Sequence, residues 1–139
     1  ALAGLRIGYL VGDLDVVNII RRTCVVYSVN ILAQEAALAA LVDREHILRT
    51  RKMVREGKDF LCRELHNMNL SFVSGEGNFL MVRLPMSDTL AYRKLMSAGV
   101  MVRTMTGFRF PNYIRITISG MEAMECAAEA LRRVLEESR

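Results

Sequence analysis

The stretch YIRITIS, residues 113–119, constrains the fold more than any other part of the chain. With a period of two, Ile114, Ile116 and Ile118 take one face of a strand, while Tyr113, Arg115, Thr117 and Ser119 take the other. Such a strand turns three branched apolar side chains toward a core and leaves polar groups outside. VMVRTM, residues 100–105, alternates likewise, with Val100, Val102 and Thr104 opposite Met101, Arg103 and Met105. LSFVSGEGNFLMVRL, residues 70–84, reads as two more short strands joined at Ser74–Gly77.

Helical periods separate these strands. From Asp43 to about Met68, Ile47, Val54, Leu61, Leu65 and Met68 form one apolar stripe, with Gly57 a weak spot of about 1 kcal/mol against alanine. Pro85 and Ser87 introduce a helix over 88–98, with Gly99 as its expected left-handed terminator. A capping box from Ser119 to Glu122 predicts the last helix, whose stripe is Met121, Met124, Ala128, Leu131 and Leu135. This order predicts an α+β fold, with helices layered on a small mixed or antiparallel sheet.

Residues 1–42 have another character. RIGYLVG, 6–12, reads as a buried strand, followed by a helix over 13–22 and an irregular connection over 23–30. Ser28 and Asn30 are both candidate N-caps for an Ala-rich helix over 31–42. The strand has no second strand to pair with, so 1–42 reads as the edge of a larger α/β domain, and 43–139 as a small domain of its own. The fragment is expected to self-associate through the apolar surface of 6–12 and 31–42.

Charge narrows the functional classes. Nineteen Lys and Arg against fifteen Asp and Glu give a net charge of +4, without a basic cluster, which argues against nucleic acid as a partner. No apolar run is long enough for a membrane span, and the N-terminal residues lack a signal-peptide pattern. Cys24, Cys62 and Cys126 are far apart and are expected to be buried reduced thiols of a cytoplasmic protein; no metal site is expected. His46 and His66 are isolated and expected at the surface. The GEG of 75–77 lies between strands and does not open a helix, so it is not a phosphate loop.

Arginine carries the chemistry. No carboxylate occurs between Asp88 and Glu122, yet Arg103, Arg109 and Arg115 lie there. Alternation puts Arg103 and Arg115 on the same open side of adjacent strands, and the guanidinium fork matches a carboxylate or phosphate bidentately. The pair predicts a site for an anionic small molecule. Arg109, in the loop, is expected to be solvated or paired with a distant acid.

Five ordered blocks, ALAGLRIGYLVGD (1–13), YSVNILAQEAALAALVD (27–43), GNFLMVRL (77–84), GVMVR (99–103) and NYIRITIS (112–119), resemble class I/II aminotransferases of fold type I, in the histidinol-phosphate aminotransferase branch. The resemblance implies that 1–42 is the C-terminal edge of a large pyridoxal-phosphate-binding domain and 43–139 the small C-terminal domain. It implies that Arg6 contacts the phosphate of pyridoxal 5′-phosphate, Arg115 holds the substrate's anionic group and Arg103 assists it. Tyr27 and Asn30 match a segment near the active site and subunit interface of a homodimer. The implied reaction passes an amino group between an amino acid or histidinol phosphate and a 2-oxo acid such as 2-oxoglutarate. The family's Schiff-base lysine is expected a few residues before Ala1, and Lys52, Lys58 and Lys94 match no catalytic position, so the fragment alone is expected to be inactive. Val26 and Thr104 stand where the family commonly has proline. The other readings are a threonine-phosphate decarboxylase-like enzyme and a non-catalytic anion-binding module.

Overall fold

The computed structural model describes residues 2–137, and the chain divides into two compact units with bounds Ala1–Ile47 and Leu48–Arg139. Five α-helices and a four-stranded antiparallel sheet occur among the described residues.

In the first unit a short 3-10 turn over Ala3–Leu5 precedes α1, Leu14–Thr23, and α2, Ile31–Val42. Asp13 caps α1, its carboxylate accepting from the Asp15 N–H at 2.9 Å. Arg21 and Arg22 close α1, where the carbonyl end of the helix dipole favours cations. Asn30, not Ser28, caps α2, accepting from the Ala33 N–H at 2.8 Å. The strand expected over 6–12 does not form. A strand exists only through a hydrogen-bonded neighbour, and no ladder reaches this segment among the described residues. Its side chains are not buried either: Tyr9 is 87% exposed and Val11 86%.

The second unit follows the predicted order with shorter strands. Most of α3, Arg44–Asn67, belongs to it, followed by β1, Phe72–Ser74, and β2, Phe79–Arg83. Then come α4, Asp88–Ser97; β3, Arg103–Thr104; β4, Tyr113–Thr117; and α5, Met121–Glu136. The spatial order is β1-β2-β4-β3. Ser87 caps α4 through the Leu90 N–H at 3.2 Å, and Gly99 takes the left-handed conformation at φ 80°.

One sheet face is buried. Leu80 and Val82 of β2 oppose Ile116 and Ile114 of β4, and all four are at most 4% exposed. Leu61 and Leu65 of α3, Ala91 and Leu95 of α4, and Ala128 and Leu131 of α5 complete this core. The opposite face carries Val73, Met81, Arg115 and Arg103 in one row across the four strands. The sheet is therefore helix-covered on one side and open on the other.

Several local expectations are corrected. The 100–105 strand shrinks to Arg103–Thr104, because the Val100 N–H turns back to Leu95 O at 2.9 Å to finish α4. Beyond residue 104 the Met105 N–H is shared between Tyr113 O and Asp88, and the Thr106 N–H goes to Asp88. The capping box does not form: Gly120 is the N-cap of α5, so Glu122 sits one position too early to reach back to a capping serine. Cys24 and Cys126 are exposed rather than buried, and Cys62 is half-buried. On α5 the core takes Met124, Ala127 and Ala128, which leaves Cys126 on the outer side. Gly57 is more than a weak spot. It is buried, and a Cβ there would lie 2.9 Å from Ser119 O and 3.0 Å from Ile118 Cγ2. The helix approaches the end of β4 so closely that only glycine fits.

Candidate anion-binding site

β4 is central and β3 is its edge neighbour, with Arg103 directly opposite Arg115 in the antiparallel register. Opposed residues project from the same side, so both guanidinium groups belong to the open face. Like charges set opposite each other repel, and such a pair is stabilised when an anion lies between them. Among the described residues no ion pair reaches either arginine. Arg115 is half-buried, and its Nε is fully shielded without a hydrogen-bond partner. Arg115 Cζ lies 5.2 Å from the centre of the Phe79 ring, and Arg103 Cζ lies 5.5 Å from that of Phe108. A cleft of about 510 Å³ is lined by both arginines together with Thr89, Tyr92, Met101 and Thr117.

A buried carboxylate fixes the strand that carries Arg103. Asp88, 2% exposed at the start of α4, accepts from the Met105 N–H at 2.9 Å and the Thr106 N–H at 2.8 Å. It also accepts from the Thr106 hydroxyl at 2.6 Å. Burial alone would push its pKa up. The bonds from the Thr106 hydroxyl and from the backbone N–H groups of Thr106, Met105 and Asp88 itself outweigh that and hold it below the usual carboxylate range. Asp88 thus anchors the chain just after Arg103 as a carboxylate whose ionised form these bonds favour.

Asp88 escaped the sequence reading, in which it is merely an acid in the first turn of a helix. So did Lys58, whose ammonium donates to Gly75 O at 2.7 Å and Gly77 O at 2.8 Å and clamps the β1–β2 turn. A helical lysine seven residues before Leu65 gives no local sign of that partner.

Arg109 is exposed in the β3–β4 loop, left-handed at φ 65°. In the first unit Arg6 is exposed at φ 55° and donates from Nη1 to Ala3 O at 3.2 Å. Tyr27 is 97% exposed at φ 58°, and the side-chain oxygen of Asn30 is engaged in the α2 cap. His46 and His66 are both exposed, the latter edge-on to Phe72. Among the described residues no cluster of His, Cys, Asp or Glu could hold a metal ion, and no helix is long and apolar enough to cross a membrane.

The second unit is thus a helix-backed antiparallel sheet whose open face carries two arginines with no ion pair among the described residues. Residues 1–134 match the family of class I and II aminotransferases. The histidinol-phosphate aminotransferase of Moorella thermoacetica is 37% identical over 134 residues, covering 96% of this chain and 35% of that protein. The structure of the aspartate aminotransferase from Thermus thermophilus with maleate superposes with a TM-score of 0.74 at 27% identity, over 97% of this chain and 38% of that one. The histidinol-phosphate aminotransferase of Clostridium acetobutylicum shares the fold, with a TM-score of 0.81 at 21% identity over 99% of this chain and 43% of that one. The chain belongs to the class I and II aminotransferase family. It spans little more than a third of the length of the curated relatives it matches, and it corresponds to the C-terminal part of the aminotransferase structures.

Proposed function

We propose that this chain forms the substrate-anion end of a pyridoxal-phosphate-dependent aminotransferase acting on histidinol phosphate, or a related amino acid, and a 2-oxo acid such as 2-oxoglutarate. One observation carries the reading: Arg103 and Arg115 stand opposite each other on an open sheet face, and neither has an ion pair among the described residues. In this account Arg115 binds the carboxylate of the oxo acid or the phosphate of histidinol phosphate through its fork, and Arg103 adds a second positive charge. The dicarboxylate in the Thermus thermophilus relative, maleate, is an anion of the kind such a pair would hold.

For the cofactor, Arg6 offers suitable chemistry. Arg6 carries a permanent charge and is exposed, and among the described residues its side chain donates to the Ala3 carbonyl alone, which leaves donors for the cofactor's phosphate. When bound, pyridoxal 5′-phosphate supplies the electron sink for amino-group transfer. Residues 1–42 belong, in this reading, to the large cofactor-binding domain of a cytoplasmic homodimer, with Tyr27 and Asn30 near its active site and subunit interface. The exposed apolar side chains of α2, Ile31, Leu32, Leu38 and Leu41, then face the remainder of that domain.

The test is made on the complete protein. With histidinol phosphate and 2-oxoglutarate it forms glutamate, and Arg115→Ala raises KM for both substrates. Carbon dioxide release from threonine phosphate, with no glutamate formed, assigns the protein to the decarboxylase branch and overturns the proposal.

A further inference from the structure

Among the described residues no acid pairs with either arginine, yet each lies over an aromatic ring. Phe79 opposes Thr117 on the open face, diagonally adjacent to Arg115, and the Arg115 Cζ sits 5.2 Å from its centroid. Phe108 belongs to the 3-10 turn Thr106–Phe108 after β3, 5.5 Å from the Arg103 Cζ. Neither ring is core: Phe79 is 38% exposed and Phe108 53%. Phe79 is backed by its own turn, where a Cβ on Gly77 would come within 2.8 Å of the ring edge at Cε1. Lys58 holds that turn through Gly75 O and Gly77 O.

The chemistry of these contacts differs from that of an ion pair. A carboxylate beside Arg115 would occupy its N–H donors. A ring face attracts the delocalised charge and leaves the in-plane donors free. The Arg115 Nε is itself shielded and has no partner among the described residues, so the terminal Nη groups are the donors a ligand would engage. The geometry points to Phe79 and Phe108 as positioning residues, holding Arg115 and Arg103 by cation–π contact so that both forks keep their donors for an incoming carboxylate or phosphate. The inference rests on the reading of this arginine pair as an anion site.

The experiment is a phosphate titration of the 139-residue chain followed by NMR, observing the side-chain Nε–H and Cδ protons of Arg115 and Arg103. In the wild type, the Arg115 side-chain protons lie upfield through the Phe79 ring current. Phe79→Leu keeps an apolar side chain but abolishes that shift and weakens phosphate binding roughly two- to fivefold, while Phe79→Tyr restores both. Phe108→Leu does the same at Arg103. Dispersed amide spectra of the variants verify folding. No ring-current shift in the wild type, or Phe79→Leu binding phosphate like the wild type, overturns the positioning role. If Arg115→Ala loses binding while Phe79→Leu does not, the anion reading stands and the positioning inference falls. If Arg115→Ala binds phosphate unchanged, or the wild type binds none, the anion reading falls and takes the inference with it.

Discussion

Replacing Asp88 by alanine tests how the edge strand is held. The carboxylate takes three donors, but their losses are unequal. The Met105 N–H also reaches Tyr113 O at 3.0 Å and keeps that bond. The Thr106 N–H and hydroxyl lose the acceptor that fixes them. An orphaned donor costs about 1–3 kcal/mol and a charge-assisted bond is worth about 1.5–3 kcal/mol, so a loss of about 3 kcal/mol is expected after water partly satisfies the freed groups. Asp88→Asn keeps one oxygen for the two amides and turns its NH2 toward the Thr106 hydroxyl, which can accept; about 1 kcal/mol is expected. The pH dependence has a definite sign. The folded pKa lies below the unfolded value, so the contribution is full above the unfolded carboxylate pKa of about 3.9 and is lost as pH falls through the folded value. Urea unfolding followed by far-UV circular dichroism should therefore show a gap between wild type and Asp88→Ala that is constant from neutral to mildly acidic pH. The gap should close in stronger acid, below the ordinary carboxylate range. Hydrogen exchange at the Thr106 amide should accelerate in the variant. A variant as stable as wild type at neutral pH, or a gap that widens in acid, refutes the reasoning.

Other substitutions probe the core and its surroundings. Gly57→Ala gains about 1 kcal/mol in helix propensity but drives a methyl against Ser119 O, and overpacking of about 1–3 kcal/mol makes it destabilising; a raised melting temperature would contradict the close approach. Leu131→Ala removes a fully buried side chain from the middle of the core and should cost about 2–5 kcal/mol by denaturant unfolding, with a loss well under that range showing a looser core. Iodoacetamide at mildly alkaline pH should label Cys24 and Cys126 before Cys62. The Cys62 thiol is pushed up by burial and by Asp59, against a smaller opposing effect of Lys58; peptide mass spectrometry showing Cys62 labelled first would refute this.

What the sequence reveals here depends on how far each interaction reaches along the chain. Strand period is local, so the alternation in YIRITIS and VMVRTM assigns Arg115 and Arg103 to one face from residue order alone. Helix ends are local too, and Asp13, Asn30 and Ser87 all cap the helices that follow them. The devices that hold the site are not local. Asp88 meets Met105 and Thr106 only when α4 packs beside β3, 17 and 18 residues on, and Lys58 reaches the β1–β2 turn across a similar span. Gly57 reads as a flaw in a helix until the end of β4 is seen against it. The segment 6–12 fails in the opposite direction: its composition favours a strand, but extended backbone becomes one only beside a partner ladder. Rings near arginines are likewise invisible in one dimension, since Phe79 and Arg115 are 36 residues apart in sequence.

The central claim is that opposed guanidinium groups on the open sheet face bind an oxyanion, and calorimetric titration of the 139-residue chain with 2-oxoglutarate tests it most directly. Arg93, exposed on α4, supplies a control that removes the same charge elsewhere. The account predicts that Arg115→Ala weakens binding roughly tenfold or more, the worth of a bidentate charge-assisted contact, while Arg93→Ala binds like the wild type. Equal weakening by both substitutions, or none by Arg115→Ala, would contradict it.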